Sequence, residues 1–460
     1  MNKLDLSIYR HVHFIGIGGI SMSGLAEILM DRGMKVSGSD VTETPITQHL
    51  KGLGIIVNIP HNAGNIQDGT DLVVYTAAVK KDNAEILEAE RRSLKIIDRA
   101  QLLGVMMEEY SCPICISGTH GKTSTTSMIS EIFLDAGCNP TISSGGVVVP
   151  INSSFHVGGK DIFIVESCEY FNSFLKFFPK IGVILNIDAD HLDFFGDMET
   201  LQNAFASFAK NVKSDGTLVI NNNIPNLDSV ISGLSCNIVT FGNECADWNA
   251  ADFNFDSAGL PEFAVYRRGE NLCRVKLKVP GMHNVMNALA AFAASYEYGL
   301  SAAEISKGLE SFAGTKRRYE YKGTFNGGTV IIDDYAHHPT EIRATLETAK
   351  QSAKGNVRCL FQPHTYSRTE RHFDEFAAAL AIADEVVVLD IYAAREQNEH
   401  GIGSKDLADR INDIYVEKAR FFPSFEEAAN YFIKNCFPSD VLITMGAGDV
   451  HLVGEHILST

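Results

Sequence analysis

The 460-residue chain predicts an α/β protein built as three consecutive α/β domains with largely parallel sheets. Short apolar runs alternate with helix-length stretches in three successive tracts, the pattern of parallel strands covered by helices. Glycine-rich turns join a strand to a helix at the head of the first two tracts. Between 248 and 279 the character changes to two-residue alternation, which predicts antiparallel strands appended to the second sheet.

The first tract, 1–110, opens with the strand-like HVHFIGIGG and a helix over about 21–32. KVSGSD, DLVVYTA and KIID supply further strands, and EEYSCP (108–113) reads as a linker. The second tract, 111–314, opens with PICISG, a glycine loop and a helix starting near Lys122. DIFIVES, KIGVILNID and GTLVINN read as strands, and ETLQNAFASFAKNV as a helix. EFAVYRRG and CRVKLKV are the antiparallel segments. MHNVMNALAAFAASYEYG is a helix stopped by Gly299, and a second linker falls near 313–316. The third tract, 315–460, alternates TVIIDDY, a helix from Pro339, VRCLFQP, EVVVLDIY and DVLITMGAG, with a short final helix.

Composition narrows the function classes. The chain is 45% hydrophobic and 21% charged, ordinary for a globular protein. Thirty-nine basic against 57 acidic residues give −18. That argues against a nucleic-acid or anionic-membrane surface, although a few placed cations and backbone N–H groups still suffice for an anionic small substrate. The nine cysteines are scattered and odd in number, which fits a reducing cytosol. Cys112 and Cys115 form a C-x-x-C, but no second Cys/His pair follows at zinc spacing. They are expected to be buried structural thiols. MNKLDLSIYR has no apolar signal core, and no run approaches the ~20 apolar residues that span a bilayer. A cytoplasmic protein is expected, with neither nucleic acid nor membrane as partner.

The most informative segment is Gly118-Thr119-His120-Gly121-Lys122-Thr123, between an apolar strand and a helix. Glycines let backbone approach a phosphate, and the N–H groups at the helix start point at it. Lys122 neutralises β- and γ-phosphate charge, and the Thr123 hydroxyl ligates Mg²⁺. The loop is shorter than GxxxxGK[ST], whose first glycine falls at Ile116. An ATP site is predicted. Its metal needs further ligands. Glu166 and Glu169 follow one strand and His191 another, and strand ends in parallel sheets face ligands. A solvated loop carboxylate and a helix-start histidine are the bland alternatives. Gly16, Gly18, Gly19 and Gly24 follow the first strand. The third glycine of GxGxxG is replaced by Ser21, so a nicotinamide fingerprint is weak, while an amide cradle for some diphosphate is well supported, with Asp40 at the next strand end.

HFIGIGGISMSGLAEIL, GTHGKTSTT, NIDADHLD, GMHNVMNALAA, GTKRRYE, DDYAHHPTEIRAT, QPHTYSRT and GAGD occur in the order seen in the Mur ligases. The chain resembles that family from about residue 11 to 450. The resemblance implies a Rossmann-like N-terminal domain (1–110), a P-loop-type central ATPase domain with an antiparallel extension (111–314) and a Rossmann-like C-terminal domain (315–460). By the same resemblance the first domain binds a UDP-sugar through Gly16, Gly18 and Gly19, with Ser39, Asp40, His61, Thr76 and Arg99. The second binds ATP through Gly118, Thr119, His120, Gly121, Lys122, Thr123 and Ser124, with Asn284 and Asn287 near the base. Thr123, Glu166, Glu169 and His191 hold Mg²⁺. The third closes on ATP and the amino acid. Arg317, Asp334, Tyr335 and His337 approach ATP there, and His364, Tyr366 and Arg368 approach the reacting ends. Lys122, Glu169, His191, His337, His364 and Arg368 form the implied catalytic set.

DDYAHHPTEI with QPHTYSRT separates this branch from the later cell-wall ligases and from folylpolyglutamate synthase. It implies an ADP-forming ligase that joins UDP-N-acetylmuramate to L-alanine through an acyl phosphate, in peptidoglycan precursor synthesis. There are departures. VESCEYFNSF replaces an EADESDASF-like run, leaving open which glutamate dominates the metal. Ala206 stands where the later ligases carry a carbamoylated lysine, so no such modification is expected. A murein-recycling ligase, a nicotinamide-dependent dehydrogenase and a nucleotide sensor without chemistry are the rival readings. QPHTYSRT counts against the first, Ser21 and the separate phosphate loop against the second, and Glu169 with His191 against the third.

Overall fold

The computed structural model describes residues 4–460 except 77, 395, 399 and 400. The chain divides into two compact units, 1–241 with 290–304 and 242–289 with 305–460.

The first unit opens with five parallel strands, β1 (His11–Ile15), β2 (Lys35–Ser39), β3 (Ile56–Asn58), β4 (Leu72–Tyr75) and β5 (Lys95–Asp98), ordered β3-β2-β1-β4-β5. Every residue of β1 is buried, as expected of a strand covered by helices on both faces. Strand order reverses at β1, so the loops after β1 and β4 meet at the crevice where such sheets bind ligands. At that edge Ile15 lies beside Ser39 and Tyr75.

Seven strands follow: β6 (Cys112–Ser117), β7 (Thr141–Val148), β8 (Ser153–His156), β9 (Ile162–Glu166), β10 (Ile181–Ile184), β11 (Thr217–Asn221) and β12 (Asn237–Gly242). Their order is β12-β11-β10-β6-β9-β7-β8. β8 runs antiparallel to β7; the other pairings reported for β6, β7 and β9–β12 are parallel. Here β6 marks the reversal, with β10 on one side and β9 on the other. The expected linker 108–113 is not a loose tether. Tyr110 is buried, its ring lies 4.8 Å from that of Phe163, and its hydroxyl is 3.1 Å from Thr141 Oγ1. One apolar core runs from Phe14 and Leu25 through Leu102 and Met106 to Phe163, Phe174 and Phe205.

In the second unit β13 (Trp248–Phe255), β14 (Pro261–Arg267) and β15 (Glu270–Lys276) are antiparallel, as the alternation predicts. A six-stranded sheet then follows: β16 (Glu320–Phe325), β17 (Thr329–Asp334), β18 (Val357–Phe361), β19 (Glu385–Val388), β20 (Ala419–Phe421) and β21 (Val441–Met445), ordered β16-β17-β21-β18-β19-β20. Only β16 runs antiparallel to its neighbour. Successive residues of its strands feed opposite cores: Ile332, Phe361 and Val388 on one face, Ile331, Leu360 and Val387 on the other, the two-residue period of a strand. Among the described residues no helix is long and apolar enough to cross a membrane.

Candidate active site

The loop after β6 is shaped by two glycines with left-handed backbone, Gly118 at φ +141° and Gly121 at φ +83°. A Cβ on Gly118 would lie 2.9 Å from Leu185 Cβ, so the strand–helix turn closes only without a side chain there. Gly121 caps the helix Lys122–Asp135. The loop is clamped from β10's far end. Thr119 N–H donates to the Asn186 carbonyl (3.1 Å), His120 N–H to Asn186 Oδ1 (2.8 Å), and Asp188 N–H to Thr119 Oγ1 (2.9 Å). His120 Nε2 lies 3.1 Å from Asp188 Oδ2. Ser124 is half-buried in the helix's first turn.

Lys122 bends back across this loop. Its Nζ donates to the carbonyls of Gly118 (2.5 Å) and Thr119 (2.9 Å) and to Glu169 Oε2 (3.0 Å). Burial works against the ammonium, but Glu169, ahead of Cys168 and Glu166, holds it charged well above the usual lysine range. The Thr123 hydroxyl donates to Glu166 Oε1 at 3.0 Å, and the Gly145 N–H of β7 donates to Glu166 Oε2 at 2.6 Å. His191 Nε2 stands 3.8 Å from Glu169 Oε1 and 3.8 Å from Asp190 Oδ2. Thus the structure brings Lys122, Thr123, Glu166, Glu169 and His191 into one cluster. The two glutamates divide it: Glu166 faces Thr123, Glu169 faces Lys122 and His191. His191, Phe171 and Asn172 all have φ near +55°, a backbone region that costs energy for non-glycine residues and gathers at functional sites.

At the first domain's crevice, Gly16 (φ +82°) and Ile17 both donate N–H bonds to the Ser39 carbonyl at 2.9 Å. Gly18 N–H donates to Asp40 Oδ2 at 2.7 Å. A Cβ on Gly16 would meet Thr76 Cγ2 at 2.6 Å, so Thr76 abuts the loop. Gly19 caps the helix Ile20–Asp31. Arg99 Nη1 donates to Ser21 Oγ at 3.0 Å, which places the guanidinium beside the loop. Ser39 Oγ is 2.8 Å from His61 Nδ1. Gly24 departs from the expected cradle. It sits one turn into the helix, and a Cβ there would fall 2.1 Å from the Phe155 ring of β8. Its role is close packing of the first domain on the central hairpin.

In the second unit Asn284 and Asn287 lie in the helix Met282–Tyr298, buried, and bonded to each other at 3.3 Å. Arg317 donates to Asp333 Oδ2 (3.1 Å) and to the carbonyls of Gly446 (2.8 Å) and Gly448 (3.0 Å), with its guanidinium 4.9 Å from the Tyr335 ring. Asp334 is enclosed. It accepts from Ala336 N–H, Thr345 Oγ1 and Tyr319 N–H, and burial pushes its carboxyl up to about 6. In this arrangement Asp334 anchors the end of β17. His337 and His364 have ring centroids 5.9 Å apart, Arg368 Nη1 is 3.2 Å from His364 Nδ1, and Tyr392 stacks on His364 at 5.7 Å. Tyr366 opens the short helix Tyr366–Arg371 that carries Arg368.

Several neighbours of the site escape motif reading. Asn186 and Asp188 lie inside NIDADHLD, whose strand-end position was the available signal. Tyr170 stacks on His191 at 4.4 Å and 24°; nothing local in VESCEYFNSF announces that contact. Cys115 is buried and its thiol is pushed up to about 12 by burial; Cys112 is half-buried and pushed to about 11. Cys115 matches the expected buried thiol, whereas Cys112, at the start of β6, is only partly buried.

Fold and site together define an α/β ligase-type enzyme in which a phosphate loop follows a dinucleotide-like crevice. Family models match in the same order: "Mur ligase family, catalytic domain" over 11–111, "Mur ligase middle domain" over 116–295 and "Mur ligase, glutamate ligase domain" over 317–448. The chain belongs to the Mur ligase family. It is 48% identical over 460 residues to the UDP-N-acetylmuramate–L-alanine ligase of Lachnospira eligens, covering all of both chains. It is 49% identical over 459 residues to that of Agathobacter rectalis, again over both full lengths. Among solved structures, a UDP-N-acetylmuramate-alanine ligase from Thermotoga maritima matches with TM-score 0.80 and 30% identity over 98% of each chain. A murein peptide ligase from Psychrobacter arcticus shares the fold, with TM-score 0.70 and 24% identity over 98% of each chain.

Proposed function

We propose that this chain is an ATP-dependent ligase that joins L-alanine to UDP-N-acetylmuramate in peptidoglycan precursor synthesis. Full-length identity to ligases of that name supports the substrates. The observation that carries the chemistry is the Lys122 ammonium, held over the phosphate loop by two carbonyls and Glu169. A lactyl carboxylate oxygen attacks the γ-phosphorus, the bond to the β-phosphate oxygen breaks, and acyl phosphate and ADP form. The alanine nitrogen then attacks the activated carbonyl carbon, and inorganic phosphate leaves. Two anions must meet in the first step, so catalysis is positioning plus charge neutralisation. Lys122 turns from its own loop carbonyls to the phosphates. The alanine ammonium must lose a proton before it attacks; His337 and His364 are the candidate acceptors.

The donor set at the loop, one hydroxyl and two carboxylates with an imidazole alongside, fits a hard divalent cation. Thr123, Glu166, Glu169 and His191 would hold Mg²⁺, which when bound offsets the repulsion between triphosphate and carboxylate. In the first domain Gly16, Gly18, Gly19, Ser39, Asp40, His61, Thr76 and Arg99 take the UDP moiety. We place the domain boundaries at 110/111 and 314/315, and the reaction in the cytoplasm, where ATP and free thiols coexist.

The test is ADP release with UDP-N-acetylmuramate in the presence of alanine, a tripeptide, NADPH or no co-substrate. Alanine-dependent ADP is expected. With alanine omitted, hydroxylamine should trap a muramyl hydroxamate. AMP in place of ADP sinks the acyl-phosphate route, and tripeptide dependence moves the chain to murein recycling.

A further inference from the structure

Beneath the first domain's crevice lies a polar network centred on Glu85, a residue with no part in the proposed reaction. Glu85 is fully buried, at 0% exposure, in the helix Ala84–Arg91. One carboxylate oxygen accepts from the Asn62 backbone N–H (2.9 Å) and Asn65 Nδ2 (2.7 Å). The other lies 2.6 Å from Ser39 Oγ and 3.1 Å from His13 Nε2. Burial opposes ionisation, but the bonds from His13, Ser39, Asn62 and Asn65 outweigh it and hold the carboxyl below its usual range. A carboxylate only accepts, so the Ser39 hydroxyl must point its proton at Glu85.

That settles the next bond along. Ser39 Oγ is 2.8 Å from His61 Nδ1. With its one proton spent, Ser39 accepts here, so Nδ1 carries the hydrogen. In the neutral imidazole Nε2 is then a bare acceptor. Nε2 has no protein hydrogen-bond partner among the described residues, and the His61 side chain is partly exposed. The Ser39 carbonyl meanwhile holds the glycine loop through Gly16 and Ile17, so His61 is tied to that loop through a single residue.

We propose that Glu85 is a positioning residue that sets the tautomer of His61, so that His61 Nε2 accepts a hydrogen bond from an N–H or O–H donor of the nucleotide. The donor is the uracil imide N3–H or the ribose 2′-hydroxyl. This rests on the reading that the first domain binds the UDP moiety. It makes a sharp statement about Glu85→Gln. The Asn62 N–H is a fixed backbone donor, so the carbonyl oxygen of the introduced amide must face it. The amide nitrogen then faces Ser39 and donates to it. Ser39 turns its proton onto His61 Nδ1, and Nε2 becomes an N–H donor. An isosteric change two bonds away reverses the polarity shown to the ligand.

Two measurements on the full chain test this. Nitrogen NMR on protein labelled in its histidine rings, at pH 8 where imidazoles are ordinarily neutral, reads the His61 tautomer, with the signal assigned by its loss in His61→Gln. Nδ1–H with bare Nε2 is expected in the wild type, and the reverse in Glu85→Gln. Calorimetry then compares UDP, N3-methyl-UDP and 2′-deoxy-UDP. Glu85→Gln should bind UDP about 10-fold or more weakly, the equivalent of one lost hydrogen bond of this kind. In the wild type, loss confined to the N3-methyl analogue names the imide; loss confined to the deoxy analogue names the ribose. An Nε2–H tautomer in the wild type overturns the proposal. So does equal wild-type binding of all three nucleotides, which needs no variant to fold. Wild-type protein that does not bind UDP breaks the nucleotide-site reading instead, and the tautomer measurement stands apart from it.

Discussion

The two glycine loops of the first unit are the same device tuned to opposite states. Each follows the strand at which its sheet reverses and opens a helix. In the first, an amide N–H that would cradle an anion is already bonded to one: Gly18 donates to the Asp40 carboxylate. In the second, carbonyls are bonded to a cation: Gly118 and Thr119 accept from Lys122. The first loop contains no cation of its own and borrows Arg99 from the helix Arg99–Met107. The second carries its lysine in sequence. The difference matches the tasks we assign. A diphosphate that is only held needs a shaped cradle and a remote charge. A triphosphate that is attacked by an anion needs a mobile charge within the loop.

Three sets of variants press on this comparison. The largest effect belongs to Lys122→Ala. Loss of one strong transition-state donor lowers turnover on the order of 10²–10³-fold, while UDP affinity, a property of the other loop, stays within about twofold. Turnover above a third of wild type would falsify the role given to the second loop's lysine. Next come the residues around that loop. Glu169→Ala and His191→Ala each raise the Mg²⁺ requirement, by roughly 10–100-fold if they ligate or orient the ion, and Glu166→Ala raises it less. A magnesium titration read by Mn²⁺ displacement as well as by rate decides; an effect confined to Glu166 reverses the division between the glutamates.

The smallest effect is expected at Gly24. A methyl there collides with the Phe155 ring, and overpacking of this kind costs about 1–3 kcal/mol. Gly24→Ala should therefore lower the denaturation midpoint, and Phe155→Ala in the same chain should recover part of the loss. If Gly24→Ala instead weakens UDP binding without loss of stability, Gly24 belongs to the cradle after all, and the two loops differ less than the structure shows.

Legibility followed locality. GTHGKT could be read because its function is local: glycines, lysine and threonine act at fixed offsets from one strand end. Thr141–Val148 and Ser153–His156 could not be read as strands, since TISSGGVV and SSFH have little apolar alternation; β7 pairs because β9 offers an edge, and β8 pairs because β7 then offers the next. Gly24 looked like its neighbours because a glycine in sequence does not say which atom it makes room for. Glu85 was invisible for the same reason. Its partners come from residues 13, 39, 62 and 65, and AEILEAER reads as an amphipathic helix with an ordinary exposed acid.

By itself the sequence determined the three-part α/β order, the phosphate loop and the family, because period, turn chemistry and ordered motifs are properties of the chain alone. Only the tertiary structure decided that Glu169 faces Lys122 while Glu166 faces Thr123, that Asp334 is enclosed, and that Ser39 links Glu85 to His61. Those are outcomes of burial and of hydrogen-bond partners brought together from distant strands, and a proton's position follows from its neighbours rather than from the residue that carries it.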